Sequence, residues 1–199
     1  MPALATPAPA NPGVAPGPFR WTVADFHRVG ETGVFEGRRP VLIRGVLLEQ
    51  GMMNPPHATG INTALEALRT AFGAGWYPRV QLPLVLGLDT DPLPDVAIVP
   101  GGPRTFATVH PTTAALVVEV SDTTLALDLT EKAGLYATAG IADYWVIDLT
   151  GRRLLVLRDP APVPDGGAAY RTHLTLGPAD TITPLAAPVS RITVSELLP

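Results

Sequence analysis

The chain of 199 residues contains no cysteine. This excludes disulfide bonds, zinc–thiolate centres and cysteine nucleophiles. The sequence also lacks the Gly-x-Ser-x-Gly and His-Glu-x-x-His motifs, so it does not support a serine triad or a zinc hydrolase. The glycine-containing segment 101–104 is not a phosphate-binding loop, because no Lys-Ser/Thr pair with a helix follows it.

Long hydrophobic runs are also absent. No stretch approaches the roughly 18 to 20 apolar residues of a membrane-spanning helix, and the first 18 residues have neither the basic nor the apolar region of a secretory signal. We therefore expect a soluble, cytoplasmic protein with no membrane partner. The beginning of the chain is rich in proline and alanine, which predicts a disordered tail over residues 1–18 and a single domain over residues 19–199.

Charged residues make up only 16% of the chain, and the net charge is -4. Proteins that coat nucleic acid usually present a broad basic face, so this balance argues against one. It does not argue against an enzyme that holds a metal ion, because carboxylate ligands themselves lower the net charge.

Hydrophobic spacing predicts an α/β fold (an α+β mixed sheet), with a central mixed β-sheet flanked by helices. An amphipathic helix is expected over residues 57–72, where apolar side chains recur every three or four positions. A strand, a helix and a second strand over residues 114–147 have the form of a βαβ crossover. The remaining predicted strands cover residues 41–43 and 46–49 as a hairpin, then 79–86, 95–99, 153–158 and 170–176.

Two carboxylates lie in or beside apolar strands. Glu119 interrupts a nearly continuous apolar run, where an unpaired buried carboxylate would be costly, although it could also reach water at the strand end. Asp95 follows a proline, and alone it is more typical of a turn. Adjacent strands could bring the two within reach of one ion, since Mg²⁺ is held by one or two carboxylates and several waters.

Three further residues could belong to the same site. Lys132 lies on the mostly apolar face of the second helix, where it could pair with Asp128 or extend to solvent. Alternatively it could turn to the sheet and orient or deprotonate a water, or stabilise a phosphate. His57 could cap the first long helix or contact a phosphate, and Glu49 could be a third carboxylate beside the metal or an ordinary exposed residue.

An ordered set of short motifs resembles the bacterial Uma family of restriction endonucleases, which is placed in the PD-(D/E)XK nuclease superfamily. The likeness extends from about Val41 to the C-terminus. The motifs are Gly45-Val46-Leu47-Leu48-Glu49, Asn54-Pro55-Pro56-His57, Pro94-Asp95-Val96-Ala97, Leu116-Val117-Val118-Glu119-Val120-Ser121, residues 128–132 and 135–137, Ala139-Gly140-Ile141 and Asp143-Tyr144-Trp145-Val146-Ile147-Asp148.

The resemblance implies a role for each motif residue. Asp95 matches the aspartate of PD, and Glu119 matches the acid of (D/E)XK. The lysine usually found two residues later is replaced by Ser121, and its role passes to Lys132 on the following helix. The carbonyl of Val120 would be a further metal ligand.

The resemblance also implies the reaction. It predicts a restriction-endonuclease-like core and hydrolysis of nucleic-acid phosphodiester bonds, with DNA as the expected substrate and Mg²⁺, or Mn²⁺, as cofactor. On charge alone, Arg79 or Arg104 would contact backbone phosphates. Nucleases of this superfamily often act as dimers, so a homodimer is expected.

Departures from the family pattern leave two alternatives open. Many relatives carry acidic residues around the first hairpin, where this chain has Val41, Arg44 and Val46. Glu49 is then the only acid of that region. The chain could therefore be a catalytically inactive binding or scaffold module with a nuclease fold, or a hydrolase of small phosphoesters.

Overall fold

The computed structural model describes residues 17–199, so most of the predicted tail over residues 1–18 lies outside the described part. The first half of the described chain contains α1 (Val23–Gly30), β1 (Pro40–Ile43), β2 (Val46–Glu49), α2 (Pro55–Phe72), β3 (Trp76–Val80) and β4 (Val96–Pro100). The second half contains β5 (Leu116–Ser121), α3 (Leu125–Leu127), a π-helical turn (Asp128–Lys132), α4 (Ala133–Thr138), β6 (Asp143–Asp148), β7 (Arg153–Pro162), β8 (Ala168–Leu176), β9 (Thr181–Ile182), β10 (Ile192–Thr193) and a 3₁₀ turn (Val194–Glu196).

A six-stranded mixed sheet forms the centre of the molecule, in the order β3-β4-β5-β6-β7-β8. All neighbouring pairs are antiparallel except β5 and β6, which are parallel. A parallel pair requires a crossover connection, and the helical residues 125–138 supply it. The predicted mixed sheet and βαβ unit are both confirmed.

Each face of the sheet buries its own hydrophobic layer. On one face, α2 packs through Ile61, Ala64, Leu68 and Phe72, which recur at helical spacing as predicted. The C-terminal segment covers the same face. On the opposite face, α4 packs against β4, β5 and β6. Strands buried on both sides explain the continuous apolar runs of the central strands.

The predicted strand over residues 79–86 is wrong from residue 81 onward, and the strand begins earlier than predicted, at Trp76. The ladder of β3 ends at Val80, and Gln81 adopts a positive φ of 49°, which turns the chain out of the sheet. The apolar residues that follow are used in a loop, where the Val85 N–H donates to the Pro111 carbonyl at 2.9 Å. A short apolar run therefore did not distinguish a strand from a buried loop.

The predicted β1–β2 hairpin is present, but it forms a separate two-stranded sheet. A bridge between Leu42 and Asp91 and a hydrogen bond from the Gly45 N–H to the Asp89 carbonyl, at 2.8 Å, attach it to the body of the protein. Within residues 17–199, no helix is long and apolar enough to cross a membrane.

Candidate active site

Strand register brings Asp95 and Glu119 together. In the antiparallel pair of β4 and β5, Val96 lies opposite Val118 and Ala97 opposite Val117. One more step along this register places Asp95 opposite Glu119, where cross-strand side chains on one face are neighbours. Both carboxylates therefore lie on the face covered by the helical residues 125–138.

Hydrogen bonds hold the Asp95 side chain, which is only 6% exposed. Its Oδ2 accepts from the Val120 N–H at 2.9 Å, and its Oδ1 accepts from Gln81 Nε2 at 3.1 Å and from His57 Nε2 at 3.2 Å. Burial pushes the pKa of Asp95 upward, but the hydrogen bonds from His57 and Val120 outweigh burial and leave the pKa below its ordinary value. Asp95 is therefore held as a carboxylate.

The position of His57 follows from the start of α2. Asn54 is the N-cap, and its side chain accepts from the His57 N–H at 3.0 Å. This fixes His57 in the first turn, with its ring directed at Asp95. The bond to Asp95 raises the pKa of His57 above its usual value, against a smaller opposing effect of burial.

Glu119 is 2% exposed and has a partner on each oxygen. Tyr136 donates from its hydroxyl to Oε1 at 2.7 Å, and the Lys132 ammonium lies 3.0 Å from Oε2. Burial raises the pKa of Glu119 to about 7, because the attraction of Lys132 does not fully offset desolvation and Asp95 adds repulsion. Glu119 therefore titrates near neutral pH.

The π-helical turn positions Lys132. Its ammonium also lies 2.8 Å from Oδ1 of Asp128, which is fully buried. The two carboxylates raise the pKa of Lys132 well above its usual range, despite its desolvation. A π turn widens the helix locally, and such turns are frequently found at functional sites. Asp128 and Lys132, the first and last residues of the turn, are four residues apart and lie on one face of the helix.

These side chains line a cavity of about 540 Å³. Its walls are the β1–β2 hairpin, the loop of residues 50–54, the start of α2 and the helical residues 124–136. Arg39 and Arg44 bring positive charge to this cavity, and Glu49 lines it as an exposed residue. The cavity can therefore admit a ligand to a pair of carboxylates and an ammonium.

The donor set suits a hard divalent cation. Asp95 and Glu119 are oxygen donors on one face, and their mutual repulsion would be relieved by a cation between them. In a strand, the N–H and carbonyl of one residue point to the same side, so the Val120 carbonyl lies on the same strand edge as the N–H that donates to Asp95. No three His, Cys, Asp or Glu side chains within residues 17–199 converge on a common metal position. A metal would therefore be held by these two carboxylates, the carbonyl and water.

The structure brings together most of the residues singled out from the sequence. Asp95, Glu119, Val120, Lys132 and His57 all line the cavity, and so does Glu49, without a bond to the others. The two arginines considered for phosphate contacts lie elsewhere. Arg79 is buried, with its guanidinium 3.3 Å from the Pro83 carbonyl and 3.4 Å from His110, and Arg104 is exposed outside the cavity lining.

Sequence reasoning missed two residues of the site. Gln81 has no signal in the sequence, because its contact with Asp95 depends on the turn that ends β3. Tyr136 had a signal, since it follows Lys132 by four residues and so shares its helix face. A further signal was in the composition, because Lys132 is the only lysine of the chain.

The mixed sheet places two opposed acids and a lysine at one cavity. The family model described as "Putative restriction endonuclease", Uma2, matches residues 23–195. The chain therefore belongs to this family of restriction-endonuclease-like nucleases.

A similar fold is found among solved structures. One example is the crystal structure of "a putative nuclease belonging to DUF820" from Anabaena variabilis, with a TM-score of 0.65 and 14% sequence identity. The match covers 89% of this chain and 97% of that chain. At this identity the likeness concerns the fold alone. No curated protein matches the chain.

Proposed function

We propose that this protein is a metal-dependent endonuclease that hydrolyses phosphodiester bonds, with DNA as its substrate. The observation that carries the proposal is the convergence of Asp95, Glu119 and Lys132 at one cavity. Two acids and a cation on neighbouring elements can hold a metal ion and offset charge on a phosphate, which together support phosphodiester hydrolysis. Family membership supports the same reaction class.

In this mechanism Lys132 acts as a cation and not as a base. Its pKa lies well above the usual range, so the ammonium keeps its proton near neutral pH. It lies 3.0 Å from Glu119, where it can offset the charge that develops on the phosphate in the transition state. Asp128, 2.8 Å away, keeps the ammonium at this position.

The two acids would hold the metal. Asp95, Glu119 and the Val120 carbonyl are the ligands we assign to Mg²⁺, with Mn²⁺ as a substitute. When bound, such an ion lowers the pKa of water and offsets charge on the phosphate. His57 and Gln81 orient the Asp95 carboxylate, and Tyr136 orients that of Glu119.

The test compares cleavage of supercoiled plasmid and of single-stranded DNA with Mg²⁺ binding in the same samples. Asp95→Asn and Glu119→Gln should each reduce cleavage by about 100-fold or more, because each removes a charge at the reacting group. Calorimetry should show the loss of metal binding in the same variants. Glu66→Gln is the matched control, since Glu66 is exposed on α2 and outside the cavity.

Three outcomes would redirect the assignment. Equal cleavage by the wild type and Glu119→Gln would contradict the proposal. Metal binding with turnover of a chromogenic phosphodiester, but with no cleavage of DNA, would favour a hydrolase of small phosphoesters. Neither metal binding nor cleavage would favour a catalytically inactive module.

A further inference from the structure

The candidate site has a restricted entrance. Asp95 and Glu119 are 6% and 2% exposed, and both line the cavity of about 540 Å³. Cavities of roughly 300 to 1,000 Å³ hold single small molecules, so this one has room for nucleotide-sized groups and not for a double helix. Enzymes that need a nucleotide inside a pocket act on single strands or extrude the nucleotide from the duplex.

An apolar rim borders the same cavity. It consists of Leu48 of β2, Met52 and Met53 of the following loop, and Leu127 of α3, which are 49%, 102%, 39% and 47% exposed. Four exposed large apolar side chains beside buried carboxylates are unusual for a surface that meets only phosphates. Leucine and methionine are among the side chains that proteins insert between bases. Apolar side chains also hold bases that have left the helix.

Positive charge at the cavity is limited. Arg39 and Arg44 line it, and Lys132 is already engaged by Glu119 and Asp128. Arg44 is 57% exposed and lies 3.6 Å from Glu131. Two arginines suit contacts to about two phosphates, whereas duplex binders commonly contact about six to ten.

We propose that the substrate is an unpaired DNA strand whose bases rest on the apolar rim while its phosphate enters the cavity. The buried acids line a cavity of nucleotide size, the rim supplies packing for exposed bases, and two arginines suffice for a short stretch of backbone. This inference rests on the proposed function, because it takes the bound strand to be the substrate.

Binding can be measured apart from cleavage. Fluorescence anisotropy measures the affinity for a labelled oligonucleotide of about 12 nucleotides, either single-stranded or annealed to its complement. The measurement is made in EDTA and again in Ca²⁺. We expect the single strand to bind at least tenfold more tightly than the duplex. Its affinity should fall with salt with a logarithmic slope of about -1.4, the value for two phosphate contacts on a single strand.

Rim variants provide the specific test. Leu127→Ser and the double variant Met52→Ser/Met53→Ser should each weaken single-strand binding about fivefold, by loss of base packing. These side chains are exposed, so the substitutions should leave folding intact. Val189→Ser is the control, because Val189 is 96% exposed and does not line the cavity.

The results separate this inference from the proposed function. Duplex binding equal to single-strand binding, binding of neither form, or unchanged binding in both rim variants would overturn the inference. Each of these outcomes can occur with plasmid cleavage that still depends on Glu119. Conversely, rim-dependent single-strand binding without any Glu119-dependent cleavage would support the strand site and refute the nuclease assignment.

Discussion

Removal of the Lys132 ammonium should destabilise the protein in a manner that depends on pH. Lys132→Met keeps the apolar stem and removes the cation that lies 3.0 Å from Glu119 and 2.8 Å from Asp128. In metal-free wild type, burial raises the pKa of Glu119 to about 7, above its usual value of 4.5. The stability associated with its proton is therefore fully present below pH 4.5 and is lost as pH rises through 7.

The size of the effect follows from this titration. Below pH 6, Glu119 carries a proton in both proteins, so the variant loses mainly the ion pair with Asp128. This loss should lower the free energy of unfolding by about 1 to 3 kcal/mol. Near pH 8.5 the wild-type Glu119 has ionised beside Lys132. In Lys132→Met its pKa should lie still higher, because the offsetting cation is gone. The free energy of unfolding of the variant should then fall by up to about 2 kcal/mol more. This value follows because pH 8.5 lies about 1.5 units above a pKa of about 7, and each unit corresponds to about 1.36 kcal/mol.

Urea unfolding followed by circular dichroism in EDTA, near pH 5.5 and near pH 8.5, measures this difference. The Lys132→Met destabilisation should be larger at the higher pH. Arg153→Met is the control, because Arg153 faces Asp148 at 2.8 Å and no glutamate, and its effect should be the same at both pH values. An equal destabilisation of Lys132→Met at the two pH values would refute the coupling of Lys132 to Glu119.

Two further predictions concern the support of the site. Tyr136→Phe removes the 2.7 Å hydrogen bond to Glu119 and should lower the free energy of unfolding by about 1 to 3 kcal/mol at neutral pH, measured by urea titration; an unchanged midpoint would contradict it. Gly60→Ala should destabilise by about 1 to 3 kcal/mol, because the new Cβ would lie 2.8 Å from Val120 Cγ1, where α2 packs on β5. Gly134→Ala, which meets only Arg44 Nη2 at 3.9 Å, should instead stabilise by about 0.5 to 1 kcal/mol; thermal unfolding showing the same sign for both glycines would contradict this reasoning.

The sequence predicted the sheet well because its central strands and long helix carry strong periodic signals. The strands over residues 116–121 and 143–148 are buried on both faces and mostly apolar, and residues 57–72 show helical spacing, so the hydrophobic pattern predicts all three. The strand predicted to continue to residue 86 failed because its end depends on the backbone conformation of Gln81. A positive φ at a glutamine is not encoded by hydrophobic pattern.

The candidate site was predictable to the extent that buried charge is recognisable in a sequence. Glu119 stood out inside an apolar strand. Asp95 alone is typical of a turn, and it indicated a site only in combination with Glu119. Hydrophobic spacing left open whether the Lys132 ammonium extends to solvent or reaches Glu119, and the structure shows the contact at 3.0 Å. The contacts of Asp95 with Gln81 and His57 join elements far apart in the chain, so only the folded structure brings them together.

The presence of a single lysine makes the site accessible to one spectroscopic probe. Every other basic side chain except the histidines is an arginine. Lysine labelled with ¹³C at Cε, supplied during expression, would therefore label Lys132 alone. Its Cε resonance would report, in an otherwise unlabelled protein, on ionisation of Glu119 and on the arrival of a metal ion or a DNA strand at the cavity.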